Sequence, residues 1–166
     1  MQNNGRDNFK ILLGSFVTVL GFGMISTWLR PYIGTEMLVG AFGASTAILF
    51  HSPKQSLSRY QNLAGGYVLS CLVGTGLNYA FGPDQVVLKV ALAVSLAIFL
   101  MRTFKLFHPA GGALALLCAS YAFKQPSELL SYFLCTSVIG PSLFYFIVLI
   151  VRKSIYLDSH ETDFKN

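Results

Sequence analysis

The chain has 166 residues, of which 54% are hydrophobic and only 11% are charged. Soluble domains are about a quarter charged, so a single-domain chain this apolar reads as an integral membrane protein, and a disordered chain is excluded. The net charge of +5 does not point to nucleic acid, because the basic residues stand singly or in pairs between apolar runs, with no basic–aromatic patch to track phosphates.

The opening decapeptide MQNNGRDNFK is polar and reads as an N-terminal tail, residues 1–10. Residues 11–29 carry no charge and approach the roughly 20 residues that a helix needs to span a bilayer; Arg30-Pro31 ends the run. The run is long for a signal sequence and no small-x-small cleavage site follows it, so a retained first span is expected. Residues 37–50, MLVGAFGASTAILF, form a shorter run with Gly40 and Gly43 in its first half, followed by the polar loop HSPKQSLSR. Residues 60–81 are a third, glycine-rich run, closed by the turn signal Gly82-Pro83-Asp84.

Residues 86–101 are the fourth run, with Lys89 placed to snorkel near its start. Arg102 and Lys105 follow. The fifth run begins with its breakers, His108, Pro109, Gly111 and Gly112, and continues without charge to Phe123. Lys124 to Glu128 interrupts it, with Pro126 and Ser127 suited to a helix start. Residues 129–151 are the longest run, with Pro141 expected to kink it. Arg152-Lys153 stops it, and residues 154–166 form a polar C-terminal tail.

The fold class expected is an all-α membrane protein with six membrane segments. If all six cross, Arg6, Lys10, Lys54, Arg59, Arg102, Lys105, Arg152, Lys153 and Lys165 share one side, and only Arg30, Lys89 and Lys124 face the other. If the two short segments dip and return, the basic residues split evenly. The positive-inside rule favours six crossings with both termini cytoplasmic. Six crossings make two inverted three-helix repeats, about 11–82 and 86–153, within one transmembrane domain, 11–153. Each repeat has a short broken middle helix. Both short runs open on glycine and small residues, and both lead through Lys-Gln (Lys54-Gln55, Lys124-Gln125) and serine to a tyrosine, Tyr60 or Tyr132.

A short helix crosses only if extended backbone supplies the missing length, and such backbone is tolerated in a membrane only inside protein or beside water. His108 to Gly112 and Val39 to Ser45 are therefore expected in the interior. Each following helix presents free N–H groups and the positive end of its dipole, and two such ends converging make a site for a small anion. The candidate binding residues are Gly43, Ala44, Ser45 and Thr46 in the first repeat and His108, Pro109, Gly111 and Gly112 in the second. Arg102 and Lys105 either attract the anion electrostatically or serve only as topology anchors. His108 has a functional reading, as hydrogen-bond donor or proton carrier, and a structural one, as a cap. Ser45 and Thr46 either touch the ligand or bond to backbone.

Asn62 and Asn78, near the two ends of the third run, read as interfacial, and its glycines as packing contacts. Glu36, Asp84 and Glu128 all fall at borders, which argues against a carboxylate-lined cation pathway. Cys71, Cys118 and Cys135 lie singly in apolar runs and read as small packing residues, not as a metal or redox motif. No metal or other cofactor is expected. No H-E-x-x-H, G-x-S-x-G or nucleotide loop supports an enzyme.

At FHPAGGALALL and VGAFGASTAILF the chain resembles the HPP family of integral membrane proteins, named for a His-Pro-Pro motif followed by glycines and small residues. Gly40, Phe42, Gly43, Ala44 and Ser45 fit the family's upstream G-x-F-G-A-S stretch. Ser52-Pro53, Arg59, Asn62, Gly65 and Gly66 resemble its next loop and helix. Arg102-Thr103, His108, Pro109, Gly111, Gly112 and Ala113 match the signature region, with Ala110 in place of the second proline. The likeness runs from about Phe16 to Val151. Plant and cyanobacterial members are associated with nitrite transport, so the resemblance implies a small-anion transporter with nitrite as the leading candidate. The alternatives are a membrane scaffold that transports nothing and a channel for neutral solutes. A bacterial inner membrane and a homo-oligomer complete the expectation.

Overall fold

The structure is a computed structural model that describes residues 4–33, 40–81, 84–123 and 125–157. The described residues are helical throughout, with no strand among them: α1 (Asn4–Ile33), α2 (Gly40–His51), α3 (Tyr60–Phe81), α4 (Val86–Thr103), α5 (Ala110–Ser120), α6 (Pro126–Phe133) and α7 (Gly140–Leu157). A 3₁₀ turn at Ser56–Ser58 precedes α3, and a π-helical turn at Leu134–Ile139 joins α6 to α7.

The third and fourth runs fold where their apolar pattern placed them. The outer boundaries differ. Helix α1 begins inside the polar opening, since nothing there breaks a helix and Asp7 in the first turn complements the dipole. It also runs past Arg30 to Ile33, with Pro31 inside the helix. Helix α7 likewise continues into the expected tail, as far as Leu157. Met37 to Val39 and the Gly82-Pro83 turn lie outside the described residues.

Three helical stretches are long and apolar enough to cross a membrane: Asp7–Tyr32, Val86–Thr103 and Ser127–Ile155. Helix α3 has 22 residues but is less apolar, and α2 and α5, with 12 and 11 residues, are about 18 and 16 Å long at 1.5 Å per residue. The outer face of α1 is a continuous apolar stripe, Phe9, Leu12, Phe16, Leu20, Met24 and Trp28, all well exposed. Water would not tolerate such a stripe, whereas lipid is its natural solvent.

The helices alternate in direction along the chain. Gly14 meets Phe50 and Phe22 stacks on Phe42, so α1 and α2 are antiparallel. Gly14 also meets Ile155 and Phe22 meets Phe144, so α1 and α7 are antiparallel. Ser70 against Met101 and Asn78 against Lys89 set α3 and α4 antiparallel. Helix α5 runs parallel to α3, with Asn62 at its start and Asn78 at its end. The core is an aromatic cluster in which the Phe42 ring lies 4.7, 5.1 and 5.1 Å from those of Phe22, Tyr67 and Phe144. Four elements are joined there, each ring pair adding about 0.5–1.5 kcal/mol beyond its burial. A second cluster of small residues, Ala93, Ala97, Ala115 and Ala119 with Met101, lets α4 and α5 approach closely.

The longest run is interrupted by the π-helical turn, and the cause is local. Pro141 has no N–H to offer, and the Gly140 N–H reaches back five residues to the Cys135 carbonyl, which widens the turn into a π-helix. A Cβ on Gly140 would stand 2.5 Å from that oxygen and 3.0 Å from the Phe42 ring, so the bulge and the aromatic core are fitted to each other.

Candidate functional site

Helix α4 ends at Thr103, and the chain must turn into α5 without breaking the bundle. Lys105 makes the turn at φ 58°, a left-handed conformation normally left to glycine. Its N–H donates to the Arg102 carbonyl and the Leu106 N–H to the Met101 carbonyl, the Schellman pattern. Leu106 to His108 then run without regular structure, and Ala110 opens α5. Of the stretch His108 to Gly112 expected as extended interior backbone, only the buried His108 lies without regular structure; Pro109 has helical φ and ψ, and Ala110 to Gly112 already belong to α5. At the other short run Gly40 to Ser45 are likewise helical, with Gly43 and Ala44 exposed, because the helix holds its glycines on an outward face.

His108 is fully buried. Its Nδ1 lies 2.8 Å from the Leu57 carbonyl oxygen and its Nε2 2.8 Å from Ser45 Oγ. Ser45 Oγ is in turn 2.9 Å from the Tyr67 hydroxyl. A carbonyl only accepts, so Nδ1 carries a hydrogen. In the neutral ring Nε2 then accepts from Ser45, and Ser45 accepts from Tyr67. Ser45 is unusual among the helical hydroxyls. Ser15, Thr27, Thr46, Thr75, Thr103, Ser120, Thr136, Ser137, Ser142 and Ser154 all donate back to the carbonyl four residues earlier, the usual way to satisfy a hydroxyl in apolar surroundings. Ser45 instead bridges α2 to the α3–α5 pair.

The expected site residues therefore separate. Ser45 and His108 are brought together; Thr46 is buried but bonds to its own helix at Phe42. Gly43 and Ala44 face outward, with Gly43 on an apolar groove of about 580 Å³ between α1 and α2. Pro109 caps α5 from an exposed position, and Arg102 and Lys105 are exposed at the same end of the bundle. Gly111 and Gly112 are buried. Their amides donate to the His108 and Pro109 carbonyls at 2.9 and 3.1 Å, which tightens the first turn of α5. A Cβ on Gly111 would lie 2.6 Å from Ser70 Oγ and 2.8 Å from Met101 Sδ, so this glycine is required by packing. A Cβ on Gly112 would meet only Val94, at 3.9 Å.

Several contributors were not expected. Tyr67 completes the hydrogen-bond chain, and the Ser70 hydroxyl sits beside Gly111 with only the Met101 sulfur, 3.8 Å away, as partner among the described residues. Asn62 and Asn78, half-buried near the two ends of α3, do more than mark its borders. Asn62 Nδ2 donates to the Phe107 carbonyl at 3.0 Å, and Asn78 Nδ2 to those of Cys118 and Tyr121 at 3.2 and 2.6 Å, so α3 grips both ends of α5. Lys89 does not snorkel: it is 3% exposed, and Nζ donates to Asn78 Oδ1 at 2.7 Å, near the carbonyl end of α5. That end carries the negative pole of the helix dipole, which draws the ammonium inward. The sequence signal for this surface is the four-residue spacing Asn62, Gly66, Ser70, Gly74, Asn78, one ridge of α3 made wholly of small and polar residues.

The three cysteines are buried free thiols, with Cys118 Sγ 3.2 Å from Cys71 Sγ across the α3–α5 contact. No group of three or more metal-ligating side chains occurs among the described residues.

Two transmembrane proteins of Dictyostelium discoideum are similar to this chain. One is 37% identical over 115 residues, covering 68% of this chain and 37% of the relative. The other is 38% identical over 108 residues, covering 64% of this chain and 38% of the relative. The chain thus matches under two-fifths of the length of either. No solved structure matches. The family model of the HPP transmembrane region matches residues 2–160, nearly the whole chain and all of the helices just described, and the chain therefore belongs to the HPP transmembrane family.

Proposed function

We propose that the protein carries a small monovalent anion, with nitrite the leading candidate, across the membrane in which it is embedded. The observation that carries this reading is the buried amino end of α5. A broken helix with a histidine at its start is held inside the bundle, bridged through Ser45 to the other short helix. Interrupted helices of this kind are built where a polar ligand must meet backbone and side-chain donors at membrane depth. The anion path runs past His108, Ser45 and Tyr67. Arg102 and Lys105 at the nearby surface raise the local anion concentration.

In this reading all six segments cross, as two inverted three-helix repeats. The packing supports it: α1 lies against α2 and α7 as α4 lies against α5 and α3. The alternation of helix direction supports it too. Lys54, Arg59, Arg102, Lys105 and Lys153 are exposed at one end of the bundle, which we assign to the cytoplasm together with both termini. The membrane assigned is the bacterial inner membrane, an assignment that the eukaryotic source of the two relatives does not support. A homo-oligomer is part of the reading; an enzymatic activity, a metal and nucleic acid are not.

A second reading, a membrane scaffold that moves nothing, is favoured by one observation: the Gly111 and Gly112 amides are already paired within the chain. Nitrite uptake into proteoliposomes, with nitrate, formate and chloride as competitors, separates the two. Transport predicts saturable uptake above empty vesicles that competing anions reduce. A folded protein that gives no uptake under either a proton gradient or a membrane potential leaves the scaffold.

A further inference from the structure

The hydrogen-bond chain at the site has a direction, and the direction depends on one proton. With a neutral imidazole it runs from Tyr67 to Ser45, from Ser45 to His108 Nε2, and from Nδ1–H to the Leu57 carbonyl. Each group is then satisfied. A second proton on Nε2 turns both ring nitrogens into donors. Ser45 then accepts from Nε2, and two contacts serve three hydrogens, so one hydroxyl hydrogen, on Ser45 or on Tyr67, is turned out of the chain. Ser45 is the one hydrogen-bond partner of Tyr67 among the described residues, and Tyr67, Ser45 and His108 are all 0% exposed.

The protonated state therefore holds an unneutralised positive charge and a displaced O–H donor in one buried place. Both are costly without a partner, and a monovalent anion beside Tyr67 supplies both. No acid among the described residues takes that role. Helix α2 offers Ser45, α3 offers Tyr67, and the 3₁₀ turn offers the Leu57 carbonyl. Arg59, Arg102 and Lys105 on the adjoining elements are cations and exposed. Of the described carboxylates, Asp84 and Glu128 stand at the far end of the bundle, and Asp7 is in the first turn of α1, which packs on α2 and α7.

We propose that the anion and a proton travel together, one for one, with His108 Nε2 carrying the proton and Tyr67 the hydroxyl that turns toward the anion when it arrives. The proposal rests on the anion-transport reading above. One proton is taken up at Nε2 with one anion on one side, and both are released on the other, so no net charge crosses. Binding of either favours binding of the other, as linkage requires.

The test is nitrite accumulation in proteoliposomes in which buffers set the pH difference and valinomycin with potassium sets the potential independently. Empty vesicles are run alongside to subtract nitrous acid that crosses unaided. The expected result is uptake that follows the pH difference, approaching about tenfold accumulation per pH unit, and ignores the potential. His108→Gln keeps a hydrogen-bonding side chain that cannot take the proton, and Tyr67→Phe keeps the ring; both are expected to lose the pH-driven accumulation. Saturable uptake that follows the potential and not the pH difference overturns the coupling and leaves anion transport standing. So does a Tyr67→Phe protein that accumulates nitrite as the wild type does. Absence of any uptake by folded wild type overturns both.

Discussion

Ser45 Oγ and His108 Nε2 lie 2.8 Å apart, although 63 residues separate them in the chain. This bond ties the two short helices together and binds α2 to the α3–α5 pair.

Breaking the chain at either hydroxyl has a defined consequence. Ser45→Ala and Tyr67→Phe each remove interhelical hydrogen bonds, and each is expected to cost about 0.6–1.7 kcal/mol in detergent unfolding, the range measured for such bonds in membranes. The double variant is expected to cost less than the sum, because the two residues share one bond. Strict additivity would show that the two hydroxyls do not interact.

The adjacent glycines separate packing from function. Gly111→Ala drives a methyl toward Ser70 and Met101 and is expected to destabilise by about 1–3 kcal/mol. Gly112→Ala has open space before Val94 and is expected to fold as well as wild type. Uptake lost in a stable Gly112→Ala protein marks the backbone at this turn as ligand-facing; unchanged uptake assigns recognition to the side chains of His108 and its partners.

Lys105 combines a strained backbone with a useful charge. Lys105→Gly and Lys105→Ala both remove the charge, but only glycine relieves the positive φ. The glycine variant is expected to be about 1 kcal/mol more stable than the alanine variant by thermal unfolding. Both are expected to lower uptake at low ionic strength and to approach wild type in about 1 M salt, where the Debye length falls to about 3 Å.

Asn78 holds two carbonyls and an ammonium. Asn78→Ala is expected to cost about 2 kcal/mol or more, since it leaves buried polar groups without that partner. Asn62→Ala, which releases one carbonyl, is expected to cost less. Equal costs in unfolding experiments would contradict the grip of α3 on both ends of α5.

How much of this was legible in the sequence follows from what each signal depends on. The helices α3 and α4 and the broken start of α5 were readable, because charge-free length, Pro-Gly punctuation and basic borders are local properties. His108 and Ser45 were readable as candidates because each stands beside small residues in a short run. Their contact was not, because it is set by how α2 leans on α3 and α5. Tyr67 was missed because a tyrosine in a glycine-rich span carries no local mark of burial. Lys89 was misread, and the contacts of Asn62 and Asn78 with α5 were missed, for one reason. Near a helix end the water interface is the default partner for a polar side chain, and the sequence does not announce that the exposed carbonyls of a short neighbouring helix stand closer. Of the extended backbone expected at Val39 to Ser45 and His108 to Gly112, Gly40 to Ser45 and Ala110 to Gly112 are helical, because glycine permits a break without requiring one.

The central claim is that a small anion crosses beside His108. The most direct test is nitrite flux by a folded His108→Ala variant, reconstituted at matched density beside wild type. The account predicts saturable flux in the wild type and a loss of at least about tenfold in the variant, the effect of about 1.4 kcal/mol at the site. Wild-type flux that His108→Ala leaves unchanged would place the path elsewhere in the bundle and contradict the account.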